Sequence, residues 1–303
     1  MNKIKLFKCG NCENIHDGLP NYFNVIPLSK KGIQDWCEVV KEDEANYFYF
    51  GQFSDQTTLG EIEKKRKLYE HLPLERVIVD IEGDWLNKKM PEWLKKCILT
   101  INGASLDFKS LKAFVRPTFS TLLIHLKDKW DIPKYDVEKR FIFRGFPDPH
   151  GVRSRIKAGF KLTNIPHIIE LTDKWNGPST IDSEDTQNYI GLMNKGLLAL
   201  APRGCGHDSV RYLEACWFGR VPIVIGDNLL VGEDYYDTSF CYKISQFQSI
   251  SAINAQLFDI FEESDSELLK KARNARKYFD EVVRTYFKDP TLMFLNWLKR
   301  NKY

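Results

Sequence analysis

Residues 197–227 read LLALAPRGCGHDSVRYLEACWFGRVPIVIGD, and this stretch decides the fold class. The apolar run over residues 197–202 predicts a buried strand, residues 209–218 predict a helix, and residues 221–225 predict a second buried strand. Apolar strands joined through a helix are typical of parallel sheets that are covered on both faces. The stretch therefore predicts a β-α-β unit of an α/β protein.

The loop between the first strand and the helix has the composition of an anion site. Its two glycines, Gly204 and Gly206, allow a tight turn and a close approach of the backbone to a ligand. Asp208 or Ser209 is expected to cap the helix, and the free N–H groups of the first turn favour an anion. Arg203 stands at the strand exit, where a guanidinium can clamp a diphosphate.

Two charged residues of the helix, Arg211 and Glu214, are three apart and share a face. Arg211 is placed to reach a phosphate, and the carboxylate of Glu214 is suited to accept hydrogen bonds from two ribose hydroxyls. The alternative is a simple helical ion pair worth about 0.3–0.5 kcal/mol, with the glycines acting only as turn formers. The spacing by itself leaves both interpretations open.

The rest of the chain repeats the alternation of short apolar runs and amphipathic stretches, which predicts two α/β domains in tandem. The polar residues 127–138 favour a linker, so we expect domains at 1–135 and 136–303. Ligands of such sheets bind beyond the carboxyl ends of strands, which predicts a site in the cleft between the domains. Further strands are predicted at 22–26, 47–50, 76–81, 97–101, 113–116, 140–144, 167–171 and 240–244. Further helices are predicted at 32–40, 57–71, 88–95, 118–129, 152–159, 185–194, 249–262, 266–287 and 290–300, the last crossing back onto the first domain.

Composition excludes several classes of protein. The 303 residues include 44 basic and 41 acidic side chains, and this near balance argues against broad electrostatic binding of nucleic acid. The hydrophobic fraction of 43% is ordinary for a soluble globular protein. No apolar run approaches the ~20 residues of a transmembrane segment, and the N-terminus lacks the apolar region of a signal peptide. With seven cysteines, an odd number, the sequence predicts a cytoplasmic protein.

The pattern P-R-G-x-x-x-x-S-x-R-x-x-E-A-x-x-x-G-x-x-P-I-V-I-x-D over residues 202–227 resembles the signature of exostosin-like glycosyltransferases. FIFRGF at 141–146, followed by GVRSRIKAGF at 151–160, resembles the strand, glycine turn and Arg-bearing helix of that family. The resemblance covers about residues 140–244. It implies a GT-B type fold, in which two Rossmann-like domains face a cleft.

The resemblance also implies an activity. It implies transfer of a sugar, with inversion at the anomeric carbon, from a nucleoside-diphosphate sugar to a hydroxyl of a glycan acceptor. The donor is expected to be a UDP-sugar, such as UDP-xylose, UDP-galactose or UDP-glucuronic acid, and no metal or other cofactor is obligatory. By position, phosphates would be held by Arg203, Gly204, Ser209 and Arg211 and ribose by Glu214, while Arg144 and Arg153 would flank the diphosphate.

The catalytic base is expected in the first half of the chain, where we place no family motif. Asp80, Glu82 and Asp84 follow the apolar run at 77–79, and carboxylates at the carboxyl end of a strand face the ligand. His71 and Asp55 are weaker candidates, and Trp85 could stack on an acceptor sugar. The alternative for residues 80–84 is a solvated loop.

Other interpretations remain open from the sequence. The Asp80-x-Glu82 run could bind Mg²⁺ or Mn²⁺, as in single-domain, metal-dependent glycosyltransferases. Cys9 and Cys12 with His16 could bind zinc, although no second pair of cysteines follows and free thiols are the simpler interpretation. The whole chain could instead be a module that binds a nucleotide or a phosphosugar without catalysis, or a nucleotide-sugar epimerase.

Overall fold

The computed structural model describes residues 3–10, 28, 30–53, 57–81, 90–102, 111–117, 120–126, 133–161, 163–173, 183–204 and 209–303. The chain divides into two compact units. The first consists of Met1–Thr118 with Thr285–Tyr303, and the second is Phe119–Arg284. The domain boundary at 135/136 stays a prediction of the sequence.

The first unit contains a six-stranded sheet whose neighbouring strands are all parallel, in the order β2-β1-β3-β4-β5-β6. Its strands are β1 (Ile4–Lys8), β2 (Cys37–Val39), β3 (Tyr47–Phe53), β4 (Val77–Ile81), β5 (Ile98–Asn102) and β6 (Ala113–Arg116). The helices α1 (Lys30–Trp36) and α2 (Leu59–Leu68) lie between strands in the sequence. Thr58 and Glu61 cap the start of α2 reciprocally, which explains why the helix begins there.

Two predictions for this unit differ from the structure, and a third falls on residues that the structure does not describe. The helix predicted over 32–40 ends at Trp36, because Cys37 pairs in parallel with Ile4 of β1, a strand that the sequence did not predict. The helix predicted over 88–95 is wrong in its described part, where Leu94–Lys96 form a single 3₁₀ turn. The strand predicted at 22–26 lies outside the described residues.

The second unit contains a five-stranded parallel sheet in the order β11-β10-β9-β7-β8. Its strands are β7 (Phe141–Gly145), β8 (His167–Leu171), β9 (Leu198–Pro202), β10 (Val221–Ile225) and β11 (Tyr242–Ile244). Its helices are α3 (Thr121–Leu126), α4 (Val152–Phe160), α5 (Glu184–Met193), α6 (Arg211–Trp217), α7 (Ile250–Glu262) and α8 (Asp265–Tyr278). Every residue of β9 and β10 is buried, as their apolar sequences predict.

Both sheets reverse their strand order, which is the mark of a doubly wound, Rossmann-like fold. In the second sheet the chain runs from β7 to β8 on one side and then returns to place β9 on the other side of β7. Loops that leave β7 and β9 therefore diverge, and a crevice opens at the carboxyl edge between these two strands. The α/β class with two Rossmann-like sheets, predicted from the sequence, is confirmed.

The last helices return to the first unit, as the sequence predicts. After α8 the chain forms a π-helical turn (Phe279–Val283), then α9 (Arg284–Lys288) and α10 (Pro290–Arg300). The ring of Phe114 on β6 lies 5.4 Å from that of Phe294 and 5.5 Å from that of Trp297 on α10. Among the helices that the structure describes, none combines the length and apolarity needed to cross a membrane.

Candidate functional site

Arg203 lies at the switch point of the second sheet, directly after β9. Its backbone N–H donates to the carbonyl oxygen of Ile225 at 3.0 Å, and the residue is only 6% exposed. Its Nη1 donates to Oε1 of Gln246 at 3.0 Å, and its Nη2 lies 3.1 Å from Nε2 of His150. A guanidinium has only donors, so His150 Nε2 is the acceptor. Arg203 thus joins the loops that follow β7, β9 and β11.

Gln246, just after β11, holds the same loops together through its backbone. Its N–H donates to Oδ2 of Asp227 at 3.2 Å, and its carbonyl oxygen accepts from Nη2 of Arg155 at 2.8 Å. The residue is buried although it is an amide, and its backbone groups and its side-chain oxygen are hydrogen-bonded. The sequence carries no signal for Gln246, because its partners come from three separate segments.

The carboxylate of Asp148 lies at the start of α4. Asp148 accepts hydrogen bonds from the backbone N–H groups of His150 at 2.9 Å, Val152 at 3.2 Å and Arg153 at 2.7 Å. These are the donors that a bound anion would otherwise use at a helix start. The Arg153 guanidinium donates to the carbonyl oxygen of Phe146 at 2.7 Å, so it is held close to the end of β7. Its predicted contact with a diphosphate stays a prediction.

Helix α6 starts later than the sequence predicts. It begins at Arg211 and its N-cap position is Val210, so the predicted N-cap at Ser209 is wrong. Ser209 is buried, and its Oγ accepts at 3.4 Å from the N–H of Arg211. Asp208 lies outside the described residues, and Gly204 is the last described residue before that gap. Gly219 has a φ of +62°, the left-handed conformation that ends a helix, as predicted.

Arg211 and Glu214 form an ion pair whose carboxylate is buried. Nη1 of Arg211 lies 2.5 Å from Oε2 of Glu214, whose side chain is 0% exposed, while that of Arg211 is 26% exposed. The Arg211 guanidinium stacks over the Tyr189 ring of α5 at 4.3 Å. The second carboxylate oxygen, Oε1, is buried and has no hydrogen-bond partner in the described structure. An exposed helical ion pair does not account for this arrangement.

The charges of this pair shift the pKa values around it. Burial by itself would lower the pKa of Arg211, but the Glu214 carboxylate and Tyr189 outweigh it, and the pKa is raised. Burial, and then the charge of Glu214, raises the pKa of Tyr189 well above its ordinary value. Arg211 therefore stays a cation and Tyr189 a neutral phenol throughout the pH range of a folded protein.

Arg144 on β7 is paired with two carboxylates. Nη1 contacts Oε2 of Glu170, its register neighbour on β8, and Nη2 lies 2.9 Å from Oδ1 of Asp185. Burial would lower the pKa of Arg144, but the two carboxylates raise it. Arg144, Tyr189 and Arg211 lie around one gap beside β7 and β9 that is too small to hold a water molecule. The structure thus brings Arg144 and Arg211 together on the α5 side of Arg203.

Among the predicted bases, the structure describes Asp80. It lies inside β4, fully buried, and its carboxylate accepts from the hydroxyls of Tyr49 at 2.5 Å and of Thr100. Burial raises the pKa of Asp80, and the charge of Arg116 and these two hydrogen bonds oppose the rise. The carboxyl is thus enclosed in the first sheet, and Asp80 as the base stays a prediction.

The other candidates in the first unit fall in two groups. Glu82, Asp84, Trp85 and Asp55 lie outside the described residues. His71 is exposed, and its Nε2 lies 2.5 Å from Oε1 of Glu42. Among the residues that the structure describes, no group of three or more His, Cys, Asp or Glu side chains could hold a metal ion. Cys9 is buried, whereas Cys12 and His16 fall in an undescribed segment.

Comparison with solved structures gives partial likenesses at low sequence identity. No protein-family model matches the chain. No curated protein matches it either. The chain is similar to MurG of Acinetobacter baumannii with a TM-score of 0.37 and 12% identity, over 78% of this chain and 70% of MurG. It is similar to TarM with a TM-score of 0.36 and 12% identity, over 76% of this chain and 56% of TarM.

Proposed function

We propose that this chain is a GT-B type glycosyltransferase whose second unit holds a nucleoside-diphosphate sugar. The main observation in support is the position of Arg203, whose guanidinium joins three loops at the switch point between β7 and β9. Ligands of doubly wound sheets bind at such a point. Arg203 also belongs to the P-R-G motif that resembles the exostosin-like family.

The charges around Arg203 suit a diphosphate. Arg203 and the exposed Arg155 lie on two sides of Gln246, so they place two positive charges at one edge of the sheet. The carboxylates of Asp148 and Asp227 accept backbone N–H bonds there, which reduces the repulsion that they exert on an anion. Because both Nη atoms of Arg203 are engaged, it acts by its charge and by fixing the loops.

The buried oxygen of Glu214 suits the ribose. A buried carboxylate oxygen without a donor costs free energy, and a ribose hydroxyl supplies that donor once the side chains that cover Glu214 move to admit it. Arg211 beside it carries the charge that a phosphate needs. We therefore assign the nucleoside end of the donor to the side of α6 that carries Arg211 and Glu214, and the diphosphate to Arg203.

The finer assignments follow from the motif resemblance. We propose a UDP-sugar as the donor, a glycan hydroxyl as the acceptor, inversion at the anomeric carbon, and no obligatory metal. A carboxylate of residues 80–84 would take the proton of the acceptor hydroxyl. We favour Glu82 or Asp84 over Asp80, because both oxygens of Asp80 are hydrogen-bonded inside the sheet.

A panel of nucleotide sugars tests the proposal. A ligand at 100 times its Kd stabilises the folded protein by about 2.7 kcal/mol, which thermal unfolding detects. Arg203→Met should weaken nucleotide binding at least about tenfold, since the positive charge and the loop order are both lost. Lys270→Ala, on the exposed face of α8, is the control that should bind like the wild type.

The outcomes separate the alternatives. If no nucleotide sugar stabilises the wild type or is slowly hydrolysed, the proposed function is wrong. Stabilisation with neither hydrolysis nor transfer would indicate a binding module. Conversion of a UDP-sugar into another UDP-sugar without an acceptor would indicate an epimerase.

A further inference from the structure

Phe247 is a large apolar side chain that the second unit leaves in water. It is 83% exposed, more than any other large hydrophobic residue of the described chain. Single exposed apolar residues are common on proteins and by themselves indicate nothing. The position of Phe247 is what matters, because it directly follows Gln246 at the carboxyl edge of the second sheet.

The backbone that carries Phe247 is fixed on both sides. Before it, Gln246 is buried and bound to Arg203, Arg155 and Asp227. The Phe247 N–H donates to Oγ of Ser245 at 3.3 Å. After it, Oε1 of Gln248 accepts from Gln256 of α7 at 2.5 Å. The phenyl ring is therefore presented by an ordered turn, so a ligand that contacts it pays little entropy to order the chain.

The strand order shows which part of a donor would meet this ring. Along the carboxyl edge of the sheet, Arg203 directly follows β9. Tyr189, Arg211 and Glu214 lie on one side of it, toward β7 and α5. Phe247 lies on the other side, toward β11. With the ribose at Glu214 and the diphosphate at Arg203, the remaining part of the donor points toward β11. Two strand spacings, about 10 Å, separate β9 from β11, which is a reach suited to a phosphate followed by a sugar ring.

We propose that Phe247 packs against the ring of the sugar that is transferred and contributes to the choice of donor sugar. This inference rests on the proposed function of the second unit. An aromatic face suits the C–H surface of a pyranose or furanose ring, whereas the sugar hydroxyls can turn to polar groups of the turn. Phe247 would thus recognise the sugar and leave the nucleoside diphosphate to Arg203, Arg211 and Glu214.

The test compares the affinity for a nucleoside diphosphate with that for its sugar conjugates. Isothermal titration would measure Kd for UDP and for UDP-glucose, UDP-galactose, UDP-xylose and UDP-glucuronic acid. Phe247→Ala should leave the Kd of UDP within about twofold, and should raise the Kd of the preferred UDP-sugar about tenfold. Phe247→Trp should retain the preference, because it keeps an aromatic face.

Phe258→Ala is the matched control, since Phe258 on α7 is 51% exposed and belongs to none of these loops. Equal weakening of UDP and UDP-sugar by Phe247→Ala would place the ring against the base and overturn the inference. Unchanged affinities for both would overturn it too, while binding of UDP by the wild type would leave the proposed function standing. A wild type that binds no nucleotide of the panel would instead refute the proposed function itself.

Discussion

The buried pair of Arg211 and Glu214 gives the sharpest prediction, because its energetics depend on which partner is removed. Glu214→Gln leaves the Arg211 guanidinium without its carboxylate, but that side chain is 26% exposed and water can reach it. Arg211→Met leaves a carboxylate that is 0% exposed. Breaking a buried pair costs about 3–5 kcal/mol, so we expect about 3 for Glu214→Gln and about 5 for Arg211→Met.

The double variant Arg211→Met with Glu214→Leu removes both charges together. Replacing a buried pair by apolar residues is often neutral, so its loss of stability should be smaller than the sum of the two single losses by at least about 3 kcal/mol. Urea unfolding followed by circular dichroism measures all of these values on the full chain. Single losses below about 1 kcal/mol that simply add would refute the reasoning, since an exposed helical pair contributes only about 0.3–0.5 kcal/mol.

The same double variant separates folding from binding. Its stability should be close to that of the wild type, yet it lacks the groups assigned to ribose and phosphate. We therefore expect a well-folded protein with at least about hundredfold weaker nucleotide binding, as measured by titration with UDP. Wild-type affinity in this variant would show that the donor nucleoside binds elsewhere.

Three further predictions concern stability. Because the folded-state pKa of Asp80 is raised above its ordinary value of 3.8, the wild type should lose stability as pH rises from about 4 to that folded pKa. Asp80→Asn should abolish this loss, so the difference in urea midpoint between the wild type and the variant should change from pH 4 to 7. A constant difference would contradict a raised pKa of Asp80. Gly219→Ala should destabilise by about 2 kcal/mol, because its φ is +62° and a Cβ would meet a proline side chain at 2.8 Å. Gly191→Ala on α5 is its control, since open space surrounds that position and the change should stabilise by about 0.5–1 kcal/mol. Arg220→Met should cost about 2–4 kcal/mol in the same urea assay, because the buried guanidinium donates to three backbone carbonyl oxygens at 2.6, 2.7 and 3.2 Å. A cost below about 1 kcal/mol would argue against this role.

Local sequence predicted most of the second sheet. The strands His167–Leu171 and Val221–Ile225 and the helix Pro290–Arg300 have the bounds that the apolar runs and the helix-start proline indicate. Val221–Ile225 is decided by its own composition, because a strand buried on both faces must be apolar along its whole length, whereas His167–Leu171 is a half-buried edge strand. In the first unit β1 and β2 have no such signature, and their pairing with each other decides their conformation.

The candidate site was predictable only in part. The motif that contains Arg203, Arg211 and Glu214 stands in one stretch of sequence, so its residue types and its strand–loop–helix setting could be inferred. Its partners could not, because Gln246, His150 and Tyr189 come from other segments that strand order brings to the same edge.

The sequence by itself determined that this chain forms apolar parallel strands with an Arg-bearing and Glu-bearing helix between two of them. Only the tertiary structure decided that Glu214 is wholly buried, that Arg203 joins three loops, and that Asp80 is enclosed by hydroxyl groups. The physical reason is that periodicity reports which face of one element is covered. Burial of a charge, and its partners, depend on which distant elements cover it.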